Sequence, residues 1–395
     1  MKNRLNEIII SITNRCNLRC KMCQIPLGNN KEMNTKDIKS LISDAAGLCP
    51  NSIVFSGGEP LLRSDIHELI AYTNKYKINT CLVSNGTLID DDVAKRLSAS
   101  GIGVVNISIE GPEDIHDALR GKGNYKKAHE ALRHLSRHKI ETTMAAIVCR
   151  HNYKSLPYVM ELANEVGVTT VKFQPFSDIF LIQKDKKDDF LLSADDLEGI
   201  NKSIDKIILL SRKYKISTNP DNYLYNIPAY LSKAYSENMK KNCQSLWSSC
   251  PIAQNGDVYP CWVLSDNVIG NLKNNRFSEI WNSEKHNLLR KQIGEKGCSG
   301  CLMSCYDYNM GKYGIGQELL IKGRKLRRPN FYRRLYNRNY QLLNYLGVKI
   351  INHINSFRLF RGNNNHKISE ELSEIRRAKQ LLKKEIAALK NDKQG

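Results

Sequence analysis

Six short runs rich in β-branched residues alternate with segments of helical spacing, and this alternation limits the fold more than any other feature. The runs lie at residues 7–13, 52–56, 79–84, 104–109, 142–148 and 169–173. Strands that alternate with helices indicate parallel βα units. The sequence therefore predicts an α/β fold, a partial (β/α)6 TIM-like barrel. In such folds the functional residues lie at the carboxyl ends of the strands.

A cysteine motif, C-x3-C-x2-C, follows the first predicted strand at Cys16, Cys20 and Cys23. Three thiolates at this spacing can face one metal centre, and thiolate ligation is typical of iron–sulfur clusters or zinc. The next cysteine or histidine is Cys49, so a structural zinc would lack a fourth ligand nearby. Three ligands on a four-iron cluster would instead leave one iron open.

Other unusual residues follow the next three strands. The second strand is followed by Gly57, Gly58 and Glu59, the third by Ser84 and Asn85, and the fourth by Glu110 and, further on, Arg120. The glycines allow close backbone approach, and the carboxylate can pair with an ammonium group. Short polar side chains suit ribose hydroxyls, and an arginine can hold a carboxylate. Taken singly, each motif also fits an ordinary loop or turn.

Together, at successive strand ends, these motifs resemble those of radical S-adenosylmethionine (SAM) enzymes over residues 5–176. The resemblance implies that Cys16, Cys20 and Cys23 bind a 4Fe–4S cluster. It also implies a set of SAM contacts: Met22, Gly57, Gly58, Glu59, Ser84, Asn85, Ser108, Glu110 and Arg120. In that family the cluster cleaves SAM reductively to a 5′-deoxyadenosyl radical, which abstracts hydrogen from a substrate. A one-electron donor such as ferredoxin or flavodoxin is the implied partner.

A second cysteine set comprises Cys243, Cys250, Cys261, Cys298, Cys301 and Cys305. Asn255-Gly256, between Cys250 and Cys261, predicts a β-hairpin. A short helix is predicted over 277–281. It is similar to the SPASM/twitch extension, which binds auxiliary clusters. Six thiols are too few for two fully thiolate-ligated four-iron clusters. The resemblance implies one auxiliary 4Fe–4S cluster, with Cys243 or Cys250 joining Cys261 and two of the last three; a zinc ribbon is the alternative. Cys49, Cys81 and Cys149 stand alone and are predicted to be core residues.

The net charge of +20 is concentrated near the C-terminus. Residues 1–317 carry 41 basic and 34 acidic side chains, whereas residues 318–395 carry 19 and 6. The body therefore gives no reason to expect a nucleic-acid substrate. The segment 322–362 is basic, aromatic and amphipathic, which leaves three alternatives: packing on the barrel, an anionic membrane surface, or RNA. A heptad pattern over 368–389 fits a dimer or a docked helix.

These observations predict three parts: a radical SAM core at 1–215, a small Cys-rich α+β auxiliary-cluster domain at 216–317, and a basic helical tail at 318–395. No apolar run is long enough to span a membrane, and no signal peptide is evident. The chain is predicted to be cytoplasmic, with peripheral association at the inner membrane face as an alternative.

The predicted function is that of a radical SAM enzyme, of oxidoreductase or transferase type, acting on an unidentified substrate. Oxidation or modification of a peptide, a sugar or a membrane-linked precursor stays open. The position of Cys16 so near the start disfavours a peptide maturase with its own leader-binding module. The alternative class is a non-catalytic iron–sulfur or zinc protein that binds nucleic acid through its tail.

Overall fold

The structure is a computed structural model that describes residues 5–28, 31–232, 245–297 and 301–303. All of these residues belong to one compact unit. The predictions for the tail, a membrane surface or RNA at 322–362 and a dimer at 368–389, lie outside the described residues.

Six parallel strands form the core of the fold, in consecutive order. They are β1 (Glu7–Thr13), β2 (Ser52–Gly57), β3 (Asn79–Ser84), β4 (Val104–Ser108), β5 (Thr142–Val148) and β6 (Thr170–Pro175). Each pairs in parallel with the next, while β1 and β6 are not paired with each other in the described sheet. The predicted α/β class and partial barrel are therefore confirmed. Strand β6 reaches Pro175, beyond the predicted end, because its pairing with β5 continues to Val148, and an edge strand tolerates a proline.

Helices fill the connections between these strands and extend beyond β6. They are α1 (Thr35–Ala46), α2 (Ile66–Lys75), α3 (Asp91–Ala99), α4 (Glu113–Arg120), α5 (Asn124–Arg137), α6 (Leu156–Val166), α7 (Leu197–Tyr214) and α8 (Asp221–Leu231). Helix α1 shows why they form here. The Asn34 side chain accepts a hydrogen bond from the Asp37 amide at 2.9 Å and caps the first turn. Apolar residues at helical spacing are buried along one side of the helix.

The two faces of the sheet differ in burial. In β4, Val105 and Ile107 are fully buried, whereas Asn106 and Ser108 are half-buried. The same alternation occurs in β2, β3, β5 and β6. We call the fully buried side the outer face and the half-buried side the inner face. Burying each large apolar side chain on the outer face contributes roughly 1.5–3 kcal/mol, while the inner face stays accessible to a ligand.

The sheet continues past β1 into the C-terminal part of the chain. Strand β7 (Ser249–Ile252) pairs in parallel with β1, and the antiparallel strands β8 (Asp257–Val258) and β9 (Gly270–Asn271) follow. Helices α9 (Ser245–Ser248), α10 (Phe277–Trp281) and α11 (Glu284–Lys296) accompany them. The turn between β7 and β8 places Gly256 at φ +91°, a region open to glycine. The predicted hairpin and the helix over 277–281 are both present.

The three isolated cysteines are not alike. Cys149 is buried, as predicted, and Cys81 is half-buried. Cys49 is exposed, so its assignment to the core is wrong. It follows the end of α1 with φ +54°, a turn conformation that directs its side chain to solvent. None of the helices in the described part of the chain is both long enough and apolar enough to cross a membrane.

Candidate active site

The loop after β1 carries the first three cysteines, and we call residues 14–24 the cysteine loop. Cys16, Cys20 and Cys23 are all half-buried in it. Burial raises the pKa of each thiol, and the pKa of Cys23 is raised further by the negative charges of Cys20 and Cys16. The three thiols therefore lie close enough to repel one another when ionised.

The donor set of this loop, three thiols, is of the kind that iron–sulfur clusters use. Among the described residues, no three histidine, cysteine, aspartate or glutamate side chains are placed to hold one metal ion. A four-iron cluster is much larger than an ion, so its thiolate ligands stand farther apart. Three neighbouring thiols on one loop can supply ligands of this kind.

Gly57, the last residue of β2, and Gly58 lie against the end of β1 and the start of the cysteine loop. A Cβ atom on Gly58 would lie 2.2 Å from the Arg15 carbonyl oxygen, and one on Gly57 would lie 2.2 Å from the Thr13 carbonyl oxygen. The Gly58 amide donates to the Thr13 oxygen at 2.7 Å. These two glycines therefore allow the β2 end to contact the end of β1 and the cysteine loop closely.

Glu59 connects the end of β2 to the end of β3. It is fully buried, and its carboxylate accepts hydrogen bonds from the Asn85 amide at 2.8 Å, the Ser84 hydroxyl at 3.0 Å and the Leu61 amide at 3.2 Å. Burial raises the pKa of the carboxyl to about 7, against the opposing effect of these donors. The structure thus brings together Glu59, Ser84 and Asn85, three of the predicted SAM contacts.

A small amide and hydroxyl network connects the β3 end to the cysteine loop. The Asn85 side-chain NH2 donates to Asn17 Oδ1 at 3.0 Å and approaches Cys16 Sγ at 3.8 Å. Thr87 Oγ1 donates to Asn85 Oδ1 at 2.7 Å and accepts from Asn17 Nδ2 at 2.8 Å. The sequence interpretation did not include Asn17 among the site residues, although its place next to Cys16 was a signal.

Arg120 connects the β4 end to the same loop. Its Nη2 and Nε donate to Glu110 Oε1 at 2.6 and 2.8 Å, and its Nη1 approaches Cys20 Sγ at 3.9 Å. Glu110 is fully buried, and its second oxygen accepts from the Ile147 amide at 2.7 Å. The guanidinium therefore neutralises a buried carboxylate and places positive charge beside a thiol.

The remaining predicted contacts differ in exposure. Met22 is only 1% exposed, and Ser108 ends β4 on the half-buried inner face.

Asn152, which sequence reasoning missed, is buried and donates to the carbonyl oxygens of Glu110 at 3.0 Å and Ile147 at 2.6 Å. Its bond to Glu110 joins residues 42 positions apart, so no local motif identifies it.

The second cysteine set is only partly within the described residues. Cys243, Cys298 and Cys305 lie outside them. Cys250 is fully buried in β7, level with Ile8 on the outer face, and its thiol approaches the Tyr259 carbonyl oxygen at 3.7 Å. Cys301 packs instead near Ile9, on the inner face. Cys261 is also buried. The two residues after it, Trp262 and Val263, pack against Ile9 and Met303 on the inner face.

Family models match both cysteine regions. Residues 10–163 match the Radical SAM superfamily, and residues 243–305 match SPASM, an iron–sulfur cluster-binding domain. The chain is a radical SAM protein with a SPASM domain. Radical SAM proteins use a 4Fe–4S cluster and SAM, and the SPASM domain adds an auxiliary iron–sulfur cluster. The thiols of the cysteine loop fit the first of these groups.

Several characterised radical SAM proteins are similar in sequence. The AdoMet-dependent heme synthase of Nitratidesulfovibrio vulgaris is 28% identical over 340 residues, which cover 78% of this chain and 90% of that protein. The mycofactocin maturase MftC of Mycobacterium ulcerans is 26% identical, covering 81% of this chain and 85% of that protein. The PqqA peptide cyclase of Gluconobacter oxydans is 24% identical over 72% of this chain and 78% of that protein.

Solved radical SAM structures share the fold. The anSMEcpe structure with AdoMet and a peptide aligns with a TM-score of 0.60 at 19% identity, over 88% of this chain and 99% of that one. SuiB of Streptococcus suis, bound to its precursor peptide SuiA, aligns with a TM-score of 0.58 at 19% identity, over 73% and 67%. At these identities the likeness supports the architecture alone.

Proposed function

We propose that this chain is an enzyme in which Cys16, Cys20 and Cys23 hold the 4Fe–4S cluster that binds and reductively cleaves SAM. One observation carries the proposal. Three half-buried thiols share one loop, and side chains at the ends of β3 and α4 reach two of them, Asn85 at Cys16 and Arg120 at Cys20. When bound, the cluster and SAM supply a 5′-deoxyadenosyl radical that removes a hydrogen atom from the substrate.

The chain's own residues position these groups and protect them from water. Glu59 fixes the β3 end through Ser84 and Asn85. Arg120 offers a cation near Cys20 that suits an anionic ligand group. The buried outer face and its helices supply a rigid support, so the residues at the strand ends keep their positions.

For the substrate, we propose a tetrapyrrole as the first candidate. The support is that relatives covering most of this chain are named as an AdoMet-dependent heme synthase and an Fe-coproporphyrin III synthase. A peptide is the second candidate, because MftC and the PqqA peptide cyclase also align over most of their lengths. A one-electron donor protein would serve either reaction.

The test is anaerobic incubation of the reconstituted protein with SAM and dithionite, with 5′-deoxyadenosine measured by mass spectrometry. We expect 5′-deoxyadenosine from the wild type and none from Cys16→Ala. Equal amounts from the two proteins would contradict the proposal, as would none from a wild type that contains its full complement of iron.

The same assay separates the substrate classes. An iron tetrapyrrole such as Fe-coproporphyrin III and a panel of short peptides are added in parallel. We expect the tetrapyrrole to increase 5′-deoxyadenosine formation and to change in mass. A response to peptides alone would replace the first candidate with the second.

A further inference from the structure

The open side of the partial barrel is bridged by one glutamine. Strands β1 and β6 are the two ends of the six-stranded parallel sheet and are not paired with each other. Their following loops nevertheless meet at Gln24, the residue after Cys23. We call residues 178–183, which follow β6, the exit segment.

Gln24 contacts the exit segment through both backbone and side chain. Its amide donates to the Phe180 carbonyl oxygen at 2.9 Å. Its side-chain Oε1 accepts from the Ile182 amide at 2.6 Å and from the Gln183 amide at 2.7 Å. A longer contact, 3.5 Å, joins its Nε2 to Gln183 Oε1. Gln24 is only 9% exposed, so its side-chain oxygen has little access to water as an alternative partner.

The exit segment also contacts the SPASM part of the chain. Ile179 and Phe180 pack against an apolar group formed by Ile9 and Met303, and Cys301 and Trp262 pack against the same group. Trp262 directly follows Cys261. The exit segment therefore contacts the cysteine loop through Gln24 and the second cysteine region through its apolar side chains.

We propose that Gln24 is a positioning residue whose side-chain oxygen holds the exit segment against the cysteine loop. This bridge fixes the loop that carries Cys16, Cys20 and Cys23 relative to the second cysteine region. The inference rests on the proposed function only in taking those cysteines as ligands. An oxygen acceptor of glutamine length is the essential feature, because both of the short side-chain bonds come from backbone N–H donors.

Three variants separate this role from simple packing. Gln24→Met keeps the length and volume but removes the acceptor, whereas Gln24→Glu keeps an oxygen at the same reach. Gln183→Met is the matched control, since it removes only the 3.5 Å contact and leaves the Gln183 amide in place. If Gln24→Met does not fold, Gln24→Asn, which is one methylene shorter, takes its place.

The first measurement is amide hydrogen exchange of the exit segment in the reconstituted protein. We expect Gln24→Met to speed exchange at Ile182 and Gln183 by about tenfold or more. Gln24→Glu and Gln183→Met should stay close to the wild type. Unchanged exchange in Gln24→Met, or equally fast exchange in Gln24→Glu, would overturn the bridge.

The second measurement reports on positioning. SAM is added to the dithionite-reduced protein, and the change that it causes in the electron paramagnetic resonance spectrum is titrated. We expect Gln24→Met to need more SAM and to give a smaller change, with the wild-type response restored in Gln24→Glu. An identical titration in Gln24→Met would overturn the positioning role. The exchange measurement does not depend on SAM cleavage, so failure of the proposed function and failure of the bridge are distinguishable.

Discussion

At the scale of single residues, the buried Glu59 carboxyl joins the turn after β2 to the end of β3. Its oxygens accept from the end of β3 and from its own turn, all within 3.2 Å. Since it is fully buried, its ionisation is unfavourable unless every one of these donors is in place. Glu59 therefore organises the loops on which the predicted SAM contacts lie.

A pH-dependent stability follows from this burial. The pKa of Glu59 is about 7 in the folded chain, against an ordinary value of 4.5. Between these values the folded chain holds a proton that the unfolded chain has lost, so the free energy of unfolding falls as pH rises through this window. Relative to Glu59→Gln, we expect the wild type to lose on the order of 2 kcal/mol between pH 4.5 and 8.

Urea denaturation of the protein without its clusters, at several pH values, measures this difference. Glu130→Gln is the control, because that carboxylate is 51% exposed and pairs with Arg133 on the surface. Parallel pH trends in the wild type and Glu59→Gln would contradict the prediction.

At the scale of elements, the contact between the β2 end and the cysteine loop depends on Gly58. A methyl group there would approach the Arg15 and Asn14 carbonyl oxygens at 2.2 and 2.7 Å. We expect Gly58→Ala to lower the free energy of unfolding by about 1–3 kcal/mol, as overpacking does, and to reduce iron incorporation.

Gly294→Ala provides the comparison in denaturation and iron analysis. Gly294 lies inside α11, and the nearest heavy atom to an added Cβ is 4.0 Å away on Trp247. Alanine in a helix interior should raise stability by roughly 0.5–1 kcal/mol. A Gly58→Ala protein as stable and as rich in iron as Gly294→Ala would show that the cysteine loop adapts freely.

The two faces of the sheet also separate the cysteines of the SPASM part. Cys250 is in register with Ile8 on the outer face, where helices cover the sheet, whereas Cys301 packs near Ile9 on the inner face. A cluster held by Cys261 and Cys301 would lie across the sheet from Cys250. We therefore expect Cys250→Ala to keep wild-type iron content and Cys261→Ala to lose iron.

Iron and sulfide analysis after anaerobic reconstitution checks this expectation, with circular dichroism to confirm folding. Equal iron loss in a folded Cys250→Ala protein would place Cys250 back among the ligands. The iron content of Cys250→Ala also shows whether Cys243 or Cys250 is the cluster ligand, an alternative that the sequence left open.

At the scale of the whole molecule, the sequence predicted the strands and the parallel order because both depend on local periodicity and short connections. Motifs at the strand ends likewise indicated the residues around Glu59. The contact of Glu59 with Ser84 and the bridge from Gln24 to Gln183 were not predictable in this way, since they join residues 25 and 159 positions apart. Cys49 was misassigned because residue type alone does not show which way a side chain leaves a turn.

The pairing of β1 with β7 also bears on how the protein is made. Ile8 and Cys250 are neighbours in the sheet although about 240 residues separate them. A ribosome needs on the order of tens of seconds to synthesise that length. Until then one edge of β1 has no strand beside it, and an open edge invites pairing with other chains. We therefore expect the newly made N-terminal half to bind chaperones until β7 has been synthesised and can pair with β1.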